Sequence, residues 1–243
     1  MNESLIIFSR EWAVTGALKA LLAPASTCSV TVVYGLAQLT GLLRAFPQTP
    51  VILGLRPHEC VADLYRLQPL LAGRAVLFVG RCFYWTDYKL PEWLGLEQYG
   101  FGSWETMQNP FSLRMAIRRL RQLAADTPED DSLQEKVQEP APAVSAMAEM
   151  QILVRANWWL YRKLSVAGLT RYEIRVLLLM SDGRKGNLQS RTRSLHKNNG
   201  LYKLGMTKHV MNLYRGVKVR PSLQTGLPLI SEDITEFRKE ADS

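Results

Sequence analysis

The side chains best suited to touching another molecule are Arg191, Thr192, Arg193, Ser194, Lys197, Asn198 and Lys203, seven polar residues within thirteen positions. Arginine and lysine reach phosphate oxygens, while asparagine and arginine read base edges, so the set has the chemistry of nucleic-acid binding. Its surroundings point the same way. Residues 151–220 hold 15 basic and 2 acidic side chains, a net +13 in a chain whose total is +8. Each cation placed on a phosphate releases condensed counterions, and that release drives binding to polyanions. The plainer readings of the same charge are a solvated basic face, or attraction to an acidic partner or anionic lipid.

Residues for catalysis are sparse. His58, Glu59 and Cys60 are adjacent but lack a second pair at zinc-ligand spacing, and read as a loop rather than a metal site. Three histidines leave few candidate bases, and neither a GxSxG elbow nor a GxxxxGK[ST] phosphate loop is present. The expectation is a binding protein rather than an enzyme, with no cofactor and no metal. The aromatic cluster Phe83, Tyr84, Trp85, Tyr88, Trp93 reads as core or interaction surface before it reads as a ligand pocket. The pair Trp158-Trp159 reads as the buried face of a packing helix.

The elements that must position these residues fall into two groups. In residues 1–125, short apolar runs alternate with helical patterns. SLIIFS (4–9), SVTVVYG (29–35), TPVILGL (49–55), AVLFVG (75–80) and the stretch 99–104 read as strands. VTGALKALLA, LAQLTGLLRAF, CVADLYRLQPLL and SLRMAIRRLRQLA read as helices, and residues between the fourth and fifth strands as an irregular aromatic stretch. Strands alternating with helices imply right-handed crossovers and a parallel sheet, here the five-stranded flavodoxin-like order. Residues 126–150 are acidic and rich in proline, the composition of a linker. Residues 151–220 read as all helix, and 221–243 as an acidic tail.

Within the helical part, Thr170 is an N-cap with Glu173 three residues on, a capping box, and Leu169 with Ile174 forms a hydrophobic staple. Gly183 is the stop of that helix. A second helix runs from about Arg191 to Leu204, and a third starts after Thr207. The cysteines Cys28, Cys60 and Cys82 form no CxxC pair, which favours a reducing, cytoplasmic setting. No basic run followed by an apolar core opens the chain, so no signal peptide is expected, and the uncharged stretch 20–43 is too interrupted for the run of about 20 apolar residues that a membrane span needs.

The segment Leu169-Thr170-Arg171-Tyr172-Glu173-Ile174-Arg175-Val176-Leu177, followed by Thr192-Arg193-Ser194-Leu195-His196 and Lys203-Leu204-Gly205, resembles the opening and closing patterns of LuxR/FixJ/NarL-type transcriptional regulators. The likeness covers residues 169–219, and the two-part layout extends it along the chain. It implies a receiver-type domain, a helix-turn-helix domain, double-stranded DNA as partner, and a recognition helix at Arg191–Leu204. On that helix Lys197 and Arg191 would meet phosphates, and Asn198 or Arg193 bases. The stretch from Gly183 to His196 is shorter than the family pattern by the length of its scaffold helix. Arg193 and Gly200 stand where the family has buried Val and Ile.

The resemblance also implies a receiver without its chemistry. Ser9 and Arg10 take the place of the metal-binding acid pair, Gly54 that of the phospho-accepting aspartate, and Trp104 is nearest to the expected lysine. Auxiliary regulators of the RcsA and BglJ type are similar in this respect. The reading is therefore a regulator that binds DNA and cannot be phosphorylated, acting as a homodimer or as a heterodimer with an intact response regulator. The alternative is a co-regulator that modulates another response regulator without touching DNA.

Overall fold

Strands buried on both faces read as near-continuous apolar runs, and the central strands β1 (Ser4–Phe8, buried from Leu5 onward), β3 (Val51–Leu53) and β4 (Val76–Gly80) fit that pattern. In the computed structural model, which describes residues 4–22, 29–125 and 148–225, they join β2 (Ser29–Val33) and β5 (Tyr99–Ser103) in a parallel sheet of order β2-β1-β3-β4-β5. The expected flavodoxin-like order is the observed one. Pairing sets Ile6, Ile7 and Phe8 beside Val51, Ile52 and Leu53, and Phe78 beside Phe101.

Helices cover both faces. Ile6, Phe8, Val51, Leu53 and Phe78 pack under α2 (Leu36–Ala45) and α3 (Val61–Leu71), against Leu39, Leu43 and Leu64. Ile7, Ile52, Leu77 and Val79 pack under α1 (Trp12–Leu22) and α6 (Pro110–Ala125), against Leu18, Leu22 and Ile117. At the opposite end of the sheet from the strand C-termini, the buried Arg74 guanidinium donates to the carbonyls of Leu43, Phe46 and Thr49. Burial lowers the Arg74 pKa to about 10.

The aromatic stretch after β4 differs from expectation. It is a helix, α4 (Trp85–Trp93), followed after β5 by a single-turn helix, α5 (Trp104–Gln108). Asp87 makes α4 possible: its Oδ2 accepts the Tyr84 N–H at 2.8 Å, and its Oδ1 accepts from the His58 backbone and ring at 2.9 and 2.7 Å. The tie to His58 spans 29 residues, so the strength of this cap is invisible in the local sequence.

The helical lobe consists of α7 (Glu149–Val166), α8 (Arg171–Ser181), α9 (Ser190–Lys203) and α10 (Val210–Gly216). Its core is shared with the α/β lobe: Ile152, Ala156, Leu160, Leu177, Leu201 and Leu213 form one cluster with Val61, Ala62, Trp85 and Leu90 of α3 and α4. Glu149 pairs with Arg66 at 2.6 Å, Lys163 pairs with Glu92, and the Thr86 hydroxyl donates to the Arg215 carbonyl at 3.1 Å. Trp158 departs from expectation. It is 64% exposed, while Trp159 packs against the core. Neighbouring residues on a helix lie about 100° apart, and the buried positions of α7 are Ile152, Leu153, Ala156, Leu160 and Leu164, a stripe that Trp159 borders and Trp158 does not.

The outer boundaries shift as well. Of the stretch read as linker, 126–147 lies outside the described residues, while Glu149 and Met150 belong to α7. Of the stretch read as tail, 226–243 lies outside them. Residues 221–225 are folded, with the Gln224 side chain bonded to the Val61 N–H and the His58 carbonyl. Cys28 and the loop read around it also lie outside the described residues. No helix among the described residues is long and apolar enough to cross a membrane.

Candidate nucleic-acid interface

Helix α8 begins where the capping box places it. The Glu173 N–H donates to the Thr170 hydroxyl at 3.3 Å, and Glu173 Oε2 accepts the Thr170 N–H at 2.7 Å. Lys203, at the end of α9, donates to the same oxygen at 2.8 Å and to the Gly168 carbonyl at 3.1 Å. Burial alone would raise the Glu173 pKa. Lys203 and the two Thr170 bonds outweigh it, and the net shift is downward. Gly183, with φ of 72°, closes α8.

Gly200 is the point where α9 crosses α8. A Cβ there would lie 2.8 Å from Leu177 Cδ1 and 3.6 Å from Glu173 Cβ, so the helices approach more closely than a side chain would allow. A mid-helix glycine costs about 1 kcal/mol against alanine. Here the burial of Leu177 and Leu201 in the crossing offsets it. Beside it, the rings of Tyr172 and His196 stack at 5.7 Å across the same pair of helices. Residues 182–189, where the resemblance placed a missing scaffold helix, run as turns between α8 and α9.

The seven sequence-derived residues do not share one surface. At about 3.6 residues per turn, Arg191 and Ser194 are exposed on the outer face of α9, together with Leu195 and Tyr202, which are 57% and 84% exposed, while Asn198 falls on the same side but is half-buried. Thr192 lies to one side. Arg193 and Lys197 are half-buried on the flank nearer Gly200 and Leu204, and Arg193 reaches the Lys185 carbonyl at 3.4 Å. Lys203 spends its ammonium group on Glu173 and Gly168. Asn198 turns its Oδ1 into a buried position with no hydrogen-bond partner.

Cations that the sequence reading passed over complete the surface. Arg184 and Lys185 are exposed in the turn leading to α9, and Arg171 and Arg175 are exposed on α8. The run Gly183-Arg184-Lys185-Gly186 is the sequence signal for two of them, adjacent cations in a glycine-flanked turn. Elsewhere the lobe does neutralise some of its charge, through Lys163–Glu92, Lys203–Glu173 and Lys218–Asp182.

The positions that the sequence resemblance sets against the receiver acids, Ser9 and Gly54, lie at strand ends of the other lobe. Ser9, buried directly after β1, accepts the Glu11 N–H at 3.2 Å. A Cβ on Gly54 would lie 2.8 Å from Val14 Cγ1 and 2.9 Å from Ser9 Cβ. His58 bonds Asp87, Glu59 pairs with Arg56 and lies 3.6 Å from His58 Nε2, and Cys60 meets the Thr225 hydroxyl. Burial, chiefly, pushes the Cys60 thiol up to about 11.

No protein-family model matches the chain, and no curated protein matches it. Among solved structures, a pilus assembly-related protein of Burkholderia pseudomallei superposes with a TM-score of 0.42 at 18% identity, over 51% of this chain and 93% of its own. Full-length FixJ of B. japonicum gives 0.37 at 15%, over 88% and 94%. The RcsB response regulator of Salmonella typhimurium gives 0.41 at 17%, over 88% and 97%. Superpositions this loose add nothing on function, and the fold rests on the chain's own strand order.

Proposed function

We propose that the chain is a DNA-binding transcriptional regulator whose helical lobe holds double-stranded DNA through α8, α9 and the turn between them. The observation that carries this reading is the set of exposed cations Arg171, Arg175, Arg184, Lys185 and Arg191 in a segment of net charge +13. Solvent-exposed cations of this kind suit a phosphate backbone more than a small ligand. Arg191 and Lys197 take phosphates, and Asn198 or Arg193 takes a base edge. The half-buried setting of Lys197, Arg193 and Asn198 requires those side chains to turn outward on binding.

The α/β lobe, in the same reading, acts by association and not by phosphoryl transfer. Gly54 leaves no room for an acceptor carboxylate, and Ser9 and Arg10 cannot hold a divalent cation. Acetyl phosphate with Mg²⁺ adds no phosphoryl mass to the intact protein; a stoichiometric acid-labile adduct would overturn this part. The outer side of α6, with Phe111 69% exposed beside Arg114 and Arg118, is the surface for a homodimer or for pairing with an intact response regulator. Sedimentation at roughly tens of micromolar, within the range of ordinary dimers, reads this directly.

One observation favours the co-regulator reading. Leu195 and Tyr202 stand on the outer face of α9, where a protein partner would bury them. Fluorescence anisotropy of the full chain with duplex DNA across a salt series decides between the two. DNA binding gives log K falling linearly with log salt, by about 0.9 per phosphate contact. Absence of binding at low salt gives the surface to a protein partner.

A further inference from the structure

The C-terminal ends of β1, β3 and β4 open into a cleft of about 780 Å³. It lies where the strand order reverses between β1 and β3, the place where open α/β sheets form ligand crevices. Its volume lies within the range of small-molecule sites, roughly 300–1,000 Å³.

Four arginines from four separate segments line it: Arg10 after β1, Arg56 after β3, Arg81 after β4, and Arg215 from the last turn of α10. The lining carboxylates are Glu11 and Glu59, so the ionisable groups leave an excess of two positive charges. Three of the arginines are held in place. Arg10 bonds Asp63 at 2.5 Å and the Thr225 carbonyl, Arg56 is bidentate to Glu59, and Arg215 lies 3.8 Å from Glu59. Their hydrogen-bonding capacity is not used up. Arg215 Nε is buried without a partner, and Arg81 is exposed and makes no ion pair among the described residues. Trp104 and Val14 supply an apolar wall.

Guanidinium groups converging on a concavity from several segments match the oxygens of a phosphate, and fixing them beforehand reduces the ordering cost of binding. A duplex cannot enter a cleft of this size. We propose that the cleft binds a small phosphate monoester of about nucleotide size, with its phosphate on Arg81 and Arg215 in the field of Arg10 and Arg56, and its flat body against Trp104. Because Arg215 belongs to α10 of the helical lobe and Arg10, Arg56, Arg81 and Trp104 to the α/β lobe, the ligand touches both at once.

Isothermal titration of the full chain with adenosine 5′-monophosphate, pyrophosphate and adenosine tests this without DNA, so its outcome is separate from that of the DNA-binding reading. The monophosphate is expected to bind with Kd below about 1 mM and adenosine not to bind. Arg81→Gln and Arg215→Gln should each weaken the monophosphate about tenfold or more. Trp104→Ala should weaken the monophosphate and spare pyrophosphate. Arg81 is exposed, so its variant keeps the test valid even if Arg215→Gln unfolds. Failure of both phosphate compounds to bind, or binding unchanged in Arg81→Gln, overturns the site. Pyrophosphate binding as tightly as the monophosphate, with Trp104→Ala neutral toward both, overturns the assignment of an organic body.

Discussion

At the strand ends, four arginines surround a concavity and three of them are tied to Asp63, Glu59 or the Thr225 carbonyl. On α8 and in the turn leading to α9, Arg171, Arg175, Arg184 and Lys185 are exposed to solvent and have no ion pair among the described residues. The same side-chain chemistry is thus presented in two mechanical states. Fixed cations lose little freedom when a small anion arrives, and gain geometric selectivity. Loose cations adapt to a repeating backbone and act mainly through counterion release, with strong dependence on salt. Net charge alone does not distinguish the two regions; exposure and anchoring do.

The largest expected effect breaks the solvent-exposed side. Replacing Arg184, Lys185 and Arg191 together by glutamine should weaken duplex DNA binding about 100-fold near physiological salt and reduce the salt slope by about 2–3 units. Titration of the strand-end cleft should be unchanged in the same variant. An unaltered slope would show that these cations are not on phosphates. Lys197→Ala should lower the slope by about one unit, whereas Asn198→Ala should cost about 1–3 kcal/mol on a preferred site and spare other DNA.

A smaller effect tests the scaffold under that surface. Gly200→Val places methyl groups against Leu177 at the helix crossing and should destabilise the protein by about 1–3 kcal/mol in urea unfolding. A neutral result would mean that the helices can separate without loss. Glu173→Gln should cost about 1 kcal/mol at pH 7, because the carboxylate holds both Thr170 and Lys203. Its folded-state pKa is depressed, so the stabilisation is fully present above the ordinary value of 4.5 and is lost as pH falls through the lower folded value. The two proteins should therefore converge in stability under acid. A gap that persists there would assign the cost to packing.

The smallest effect sharpens the concave side. Iodoacetamide at neutral pH should modify Cys82, which is exposed at the cleft, and spare Cys60, whose burial raises its thiol to about 11. Peptide mapping reads the difference, and equal labelling would show that the residues around Thr225 open readily.

Much of the fold could be read from the chain because the signals are short-range. Alternating strands and helices, the capping box at Thr170–Glu173 and the stop at Gly183 each depend on residues within a turn or a strand of one another. The helix carrying the candidate DNA contacts was legible for the same reason. Which of its residues face outward was not, because that depends on how α9 packs on α8, at Gly200 against Leu177 and beside it at His196 against Tyr172. Helix α4 escaped because Asp87 owes much of its hold to His58. The sequence by itself therefore determined the parallel α/β lobe, the helical lobe and the concentration of positive charge in residues 151–220. Only the tertiary structure decided that Lys203 belongs to Glu173, that Gly54 has no room for a side chain, and that Arg10, Arg56, Arg81 and Arg215 line one cleft. Local order follows from backbone periodicity and caps, whereas groups separated by up to about two hundred positions meet only when the packing of both lobes brings them together.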